Sequence, residues 1–151
     1  MRVVIQRVLR ASVTIEEKIK SSIEKGLLVL AGFENTDTGE DLEWTTKKIS
    51  QLRIFDDENG VMNLSVKDIE GEILVVSQFT LHAKTKKGNR PSYINAAAPD
   101  ISIPLYNRFV DTLSSSIGKE IKTGEFGAMM KVELINDGPV TIIMDSKNRD
   151  F

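Results

Sequence analysis

Apolar residues alternate or run together along most of the chain, and their spacing predicts a mixed fold. Residues 2–10 and 11–15 are rich in Val and Ile and read as strands. Leu27-Leu28-Val29-Leu30-Ala31-Gly32 is a continuous apolar run that suits a strand covered on both faces. Asp37-Thr38-Gly39-Glu40 opens a helix, with Asp37 or Thr38 as N-cap and acidic residues in its first turn. Leu42, Thr45, Ile49 and Leu52 fall on one face of that helix. Leu52-Arg53-Ile54-Phe55 leads into a strand, and Asp56-Asp57-Glu58-Asn59-Gly60 is a turn, because Asn-Gly accepts positive φ cheaply.

Residues 72–81 carry the strongest strand signal. Residues 83–99 are polar, basic and proline-containing, which predicts a long loop. Leu105, Tyr106, Phe109, Val110, Leu113 and Ile117 form the stripe of a second helix, with Pro104 in its first turn and Gly118 at its end. Residues 130–135 and 140–144 read as two closing strands around Asn136-Asp137-Gly138-Pro139. The sum is an α/β (α+β-like) fold of about eight short strands with two main helices. The helices cover one face of the sheet system, and a second sheet or a partner chain must cover the other.

The chain has 151 residues with no repeat, linker or low-complexity tract, so a single domain spanning 1–151 is expected. It has no cysteine and one histidine, His82, which excludes disulfides, a cysteine nucleophile and thiolate or multi-histidine metal sites. Charged residues make up 28% and the formal net charge is −2, which argues against a surface coated in positive charge for non-specific nucleic-acid binding. A local basic patch is still allowed. Arg7 and Arg10 interrupt the N-terminal segment too early for a signal-peptide core, and no apolar run approaches a membrane span. A soluble cytoplasmic protein without metal or cofactor is the expectation.

Three segments could carry chemistry. The first is Ser77-Gln78-Phe79-Thr80 at the end of the most apolar strand. Strand alternation would put Ser77, Phe79 and Leu81 on one face and Gln78, Thr80 and His82 on the other. These groups either form a site or mark a strand turning polar as it reaches solvent. Ser77 or Thr80 as nucleophile would need a base, and only His82 is available. A lone histidine beside a loop is more often a solvated surface residue.

The second segment is Asn136-Asp137-Gly138-Pro139-Val140, whose default reading is a hairpin turn. The sharper reading is a cis Gly138-Pro139 bond, which would aim consecutive carbonyl oxygens in one direction. The third is the loop containing Lys84, Lys86, Lys87, Arg90 and Tyr93, either a solvated charged loop or a binder of phosphates and a base.

Taken in order, these segments resemble the D-aminoacyl-tRNA deacylase family of the D-Tyr-tRNA deacylase type. The resemblance starts at Arg2-Val3-Val4-Ile5-Gln6-Arg7-Val8 and Ala11-Ser12-Val13-Thr14. It continues through Gly26-Leu27-Leu28-Val29-Leu30, Leu52-Arg53-Ile54-Phe55 and Met62-Asn63-Leu64. Val75-Val76-Ser77-Gln78-Phe79-Thr80-Leu81, Gly88-Asn89-Arg90-Pro91-Ser92 and Asn136-Asp137-Gly138-Pro139-Val140-Thr141 complete it. It implies a β/β/α layered fold with two sheets, dimerising so that a cis Gly138-Pro139 reaches into the partner's pocket. By the same resemblance Ser77, Gln78, Phe79 and Thr80 line the catalytic pocket, Phe126 and Met130 match pocket positions, and Arg7 orients the Gly-Pro element. Glu16-Glu17, His82, Lys84 and Tyr93 depart from the usual family pattern.

The implied reaction is hydrolysis of the ester between a D-amino acid, or glycine, and the 3′ end of tRNA. It would need an oriented attacking oxygen and donors for the oxyanion, with the N–H groups of Phe79 and Thr80 as candidates. Two other readings stand beside it: a general esterase using Thr80 or Ser77 with His82, and a non-catalytic module that binds a tRNA end through the basic loop.

Overall fold

The computed structural model describes residues 1–150; Phe151, part of the expected 1–151 domain, lies outside them. The core of the fold is one long strand, β1 (Arg2–Ile15), where the sequence suggested two. β1 pairs antiparallel with three others. β3 (Gly26–Gly32) runs beside residues 2–8, β2 (Lys18–Ile23) beside residues 11–15, and β8 (Lys131–Asp145) takes the opposite edge. β6 (Glu72–Ser77) adds parallel to β3, and β7 (Lys122–Thr123) parallel to β6, giving a six-stranded sheet. β4 (Phe55–Asp56) and β5 (Met62–Leu64) make a separate two-stranded sheet. The eight strands thus divide unevenly into a large and a small sheet, beside two helices, in a mixed α/β fold.

The large sheet curls until its ends meet. Ser21 on β2 donates its hydroxyl to the Thr123 carbonyl of β7 at 2.7 Å. This curl answers the question of what covers the second face. Leu27, Val29 and Ala31 of β3 and Ile73 and Val75 of β6 pack toward the helices, with Leu42, Ile49, Phe109 and Leu113. Their neighbours Leu28, Leu74 and Val76 point the other way, into a smaller core with Val8, Ala11, Val13 and Ile23. β3 and β6 are therefore buried on both faces, the environment their unbroken apolar runs suggest. The β1–β2 turn falls on Glu16 and Glu17, both at positive φ (48° and 61°), where most residues would be strained.

α1 (Gly39–Gln51) starts after the N-cap Thr38, and the Asp41 carboxylate accepts hydrogen bonds from the Thr38 N–H at 2.8 Å and hydroxyl at 3.0 Å. α2 (Pro99–Ile117) begins a turn and a half earlier than Pro104 suggested. Pro99 takes the first helical position, where a missing N–H is harmless, and Pro104 lies inside the helix. Gly118 ends it at φ 75° as expected. None of the described helices is long and apolar enough to cross a membrane.

The expected hairpin at 136–139 is corrected. Residues 131–136 pair with 8–14 of β1, and 141–145 pair with 2–6 of the same strand. The two flanks cannot pair with each other because both are already committed to β1. The segment between them is a corner bulging from one continuous strand, and its Gly138-Pro139 bond is cis.

Candidate functional site

A cavity of about 550 Å³ opens where the parallel strands β3 and β6 reach their C-terminal ends, a common place for binding in α/β sheets. Ala31, Gly32 and Phe33 form one wall, and Val76, Ser77, Gln78 and Phe79 form the next. Tyr93, Ala96, Ala97, Pro99 and Ser102 close a third side, and residues 126–130 with Val132 close the fourth. Among the described residues the lining contains no carboxylate, imidazole, amine or guanidinium; its one titratable group is the phenol of Tyr93.

The strand ends sooner than its apolar run suggested. β6 stops at Ser77, and Phe79–His82 forms a 3₁₀ turn. Gln78 still pairs through its N–H with the Ala31 carbonyl at 2.7 Å, then leaves the sheet. The alternation expected for residues 77–82 is therefore overturned. Ser77, Gln78 and Phe79 face the cavity, while Thr80 is not among its lining residues. The Thr80 hydroxyl accepts from the Gln78 side-chain amide at 2.5 Å. Phe79 stays 55% exposed and meets the edge of Tyr93 at a centroid distance of 5.1 Å. The N–H groups of Phe79 and Thr80 open the 3₁₀ turn, where no carbonyl of that turn precedes them.

Phe126 and Met130 both reach the cavity. Phe126 packs edge-on against Tyr106 at 5.9 Å, and the Tyr106 hydroxyl donates to the Val75 carbonyl at 3.0 Å. Burial pushes that phenol up to about 12, so it remains a neutral donor.

His82 is the clearest correction of a residue's setting. It is buried, 3% exposed, instead of solvated. Nδ1 lies 2.8 Å from Glu34 Oε1, and the ring is not part of the cavity lining. Nδ1 is engaged by Glu34 and the buried Nε2 meets no hydroxyl, so neither Thr80 nor Ser77 has the base that the esterase reading needs.

Arg7 is buried beneath the 137–140 corner. Its Nε donates to the Asp137 carbonyl at 3.2 Å and lies 3.1 Å from Asp137 Oδ2. Nη1 donates to the Ile54 carbonyl at 2.7 Å and to Asp56 Oδ1 at 3.3 Å. Asn136 braces the same corner: Oδ1 accepts the Val140 N–H at 2.9 Å, and Nδ2 donates to Thr141 Oγ1 at 3.1 Å. Gly138 and Pro139 are exposed, and neither lines the cavity of their own chain.

The family model described as D-Tyr-tRNA(Tyr) deacylase matches residues 4–145, nearly the whole chain. The chain belongs to that family. Among curated relatives of this deacylase family, the D-aminoacyl-tRNA deacylase of Bacteroides fragilis is 67% identical over 150 residues, covering 99% of this chain and 100% of the relative. That of Flavobacterium johnsoniae is 65% identical over the same coverage. A solved structure titled c-Myc DNA Unwinding Element Binding Protein superposes with a TM-score of 0.90 at 43% identity, over 96% of this chain and 98% of its own. Another, titled as a probable eukaryotic D-amino acid tRNA deacylase, has a TM-score of 0.81 at 20% identity, over 95% and 97%, and shows the deacylase fold alone.

Within this deacylase framework, several wall residues were not named from sequence. Gly32, Phe33 and residues 96–97 reach the cavity by packing across the sheet end, which no local motif announces. Gly127 and Met129 flank the two named wall residues, and Met129 is 91% exposed, an unusual setting for a long apolar side chain. The bracing by Asn136 had a legible signal, since Asn before a Gly-Pro corner commonly bonds its own backbone. Lys84, Lys86, Lys87 and Arg90 are all exposed, and none forms an ion pair with another described residue. Lys84 and Ser92 exchange backbone hydrogen bonds at 2.8 and 3.0 Å, which closes the loop just before Tyr93.

Proposed function

We propose that this protein hydrolyses the ester linking a D-amino acid to the 3′ end of tRNA, and accepts glycyl esters as well. The observation that carries the reading is the full-length identity with D-aminoacyl-tRNA deacylases, 67% over 150 residues. The cavity chemistry supports it. An aminoacyl ester is already activated, so an oriented attacking oxygen and oxyanion donors suffice. Ser77, Gln78 and Phe79 line the wall, and the Phe79 and Thr80 N–H groups are the oxyanion donors in this reading. Because the described lining carries no side-chain base, the side chains and main chain position the ester. The terminal ribose hydroxyl of the tRNA assists the attack. Phe126 and Met130 complete the substrate pocket. The basic residues Lys84, Lys86, Lys87 and Arg90 hold tRNA phosphates, and Tyr93 links that loop to the cavity mouth.

Chirality is read by main chain. D- and L-esters contain the same atoms, so only placement separates them. The 137–140 corner, held by Arg7 and Asn136, exposes Gly138 and Pro139 and is absent from its own cavity. In a homodimer it enters the partner's cavity, where its carbonyl oxygens receive the α-amino group and occupy the space an L side chain needs. A thousandfold preference requires about 4 kcal/mol. A tRNA-ester substrate fits a cytoplasmic protein.

The test is release of amino acid from D-, L- and glycyl-tRNA by the purified protein. Rapid release from the D- and glycyl esters, with the L-ester spared, is the expected result. Equal rates on D- and L-esters refute chiral selection. Tight binding of uncharged tRNA without turnover favours the non-catalytic RNA-end module instead.

A further inference from the structure

The chain's one imidazole has no part in the chemistry above, yet it sits directly behind the cavity. His82 ends the 3₁₀ turn that carries Phe79 and Thr80, and Glu34 lies just past the end of β3. The Nδ1–H donates to Glu34 Oε1 at 2.8 Å. The opposite side of the ring rests on Gly32: a Cβ placed there would meet His82 Cδ2 at 3.1 Å, Nε2 at 3.2 Å and the Gln78 carbonyl at 2.7 Å. Gly32 and Gln78 both line the cavity. The imidazole is thus wedged behind the wall where β3 and the turn come closest.

Glu34 is itself fixed. Its N–H donates to Asp37 Oδ2 at 2.8 Å, and its backbone bridges to Ala96, while the adjoining Phe33 carbonyl accepts the Ala97 N–H at 2.9 Å. On the far side of the turn, Arg2 Nη1 donates to the Leu81 carbonyl at 2.8 Å. The Met1 ammonium bonds to Asp37 Oδ1, and Lys147 Nζ lies 3.9 Å from the same oxygen. The His82–Glu34 contact therefore joins three walls of the cavity: the end of β3, the turn at 79–82, and residues 96–97.

Packing alone does not account for the ring. His82 Nε2 is buried and has no hydrogen-bond partner among the described residues. A buried unpartnered nitrogen opposes folding, so an apolar side chain would fill the same space at less penalty. What only the imidazole provides is the directional bond to Glu34. We propose that His82 and Glu34 form a positioning pair that sets the 3₁₀ turn against β3, so that the Phe79 and Thr80 N–H groups keep their aim at the ester. The catalytic part of this statement rests on the deacylase reading above. The pair touches no substrate and acts through the turn.

The experiment compares wild type with His82→Ala, Glu34→Ala, the double variant and Glu34→Gln. D-aminoacyl-tRNA deacylation is measured well below each variant's Tm, and backbone hydrogen exchange is followed in parallel. Each alanine variant is expected to lose about tenfold or more in kcat with KM changed by less than about threefold, as displacing a positioned group does. The double variant falls no lower than the worse single one, because the two residues act as one unit. Glu34→Gln keeps an oxygen acceptor for Nδ1 and restores kcat to within about threefold of wild type. Exchange rises in residues 77–83 and 93–98 and is unchanged in α1 and β1. Wild-type kcat in both alanine variants, additive losses in the double variant, or exchange rising through the whole chain each overturns the proposal. Glu34 is partly exposed, so Glu34→Ala decides the question if His82→Ala does not fold. A wild-type protein inactive on D-aminoacyl-tRNA refutes the deacylase reading, while the exchange comparison still decides whether the pair sets the turn.

Discussion

Replacing Arg7 by lysine keeps the charge and removes the geometry, which makes it a sharp probe of the corner. The guanidinium reaches in two directions at once, Nε toward the Asp137 carbonyl at 3.2 Å and Nη1 toward the Ile54 carbonyl at 2.7 Å. An ammonium is a point charge and serves one side or the other. A hydrogen bond from a charged donor contributes about 1.5–3 kcal/mol, so losing one and weakening its neighbour destabilises the fold by about 2–3 kcal/mol. The contact to Asp56 adds little, because that carboxylate is 51% exposed and screened by water. For a chain of this size the loss lowers Tm by roughly 4–10 °C. The functional effect should exceed the thermal one. Without its brace the corner yields to an L side chain, and each 1.4 kcal/mol of yielding lowers the D-over-L ratio about tenfold. Thermal unfolding gives the first number; parallel deacylation of D- and L-aminoacyl-tRNA gives the second. If Arg7→Lys melts early but keeps the wild-type ratio, the argument that Arg7 holds the selecting element is wrong.

Four further outcomes follow from the same geometry. Thr80→Ala should keep substantial deacylation, since the Thr80 hydroxyl is not part of the cavity lining; a loss near 10⁴-fold, the scale for deleting a true nucleophile, would restore it to that role. Neutralising Lys84, Lys86, Lys87 and Arg90 together should raise KM for aminoacyl-tRNA and flatten its dependence on salt, with little change in kcat at saturation; an unchanged salt slope removes the loop from the interface. Asp41 is buried, which by itself raises its carboxyl, but hydrogen bonds from Lys147, Thr38 and Ser146 outweigh burial and hold it well below its ordinary value of 3.8. Its stabilisation is thus complete above that value and is lost as pH falls below it, so Lys147→Met should lower Tm at neutral pH and lower it less near pH 2, as melting curves across pH will register. Tyr106→Phe leaves the buried Val75 carbonyl without its side-chain donor and should lower Tm by roughly 2–4 °C, read by thermal unfolding.

The sequence was most legible where one local rule decided the outcome. The run Leu27-Leu28-Val29-Leu30 reads as a doubly covered strand because no other setting buries both faces, and β3 is one. Thr38 and Gly118 mark helix ends through capping chemistry alone. The failures fall where tertiary pairing overrode a local signal. Asp137-Gly138 is a strong turn dipeptide, yet β1 is long enough to pair with both flanks, so the turn becomes a bulge within β8. Phe79 and Leu81 extend the apolar alternation of β6, yet β3 ends at Gly32 and leaves no partner for a longer strand, so the chain coils into a 3₁₀ turn. His82 looked like a surface residue because nothing near it in sequence announces Glu34, 48 residues earlier. Of the site residues, Ser77, Gln78, Phe79, Phe126 and Met130 are brought together at one cavity, and Arg7 with Gly138 and Pro139 at a second locus.

That separation bears on how a site without a side-chain base could be selective. A flexible side chain facing an L-substrate rotates away at a penalty of about 1 kcal/mol, far short of a thousandfold preference. A backbone corner cannot rotate. Both its flanks are hydrogen-bonded into β1, Asn136 ties the Val140 N–H across its neck, and Arg7 fills the space beneath it. Moving its carbonyls aside means breaking strand pairing, so the penalty approaches that of local unfolding. An element this stiff cannot also fold back over the cavity of its own chain. In the homodimer proposed above, a second copy would resolve the conflict: each protomer's corner stays rigid as part of a long strand and would complete its partner's cavity from outside.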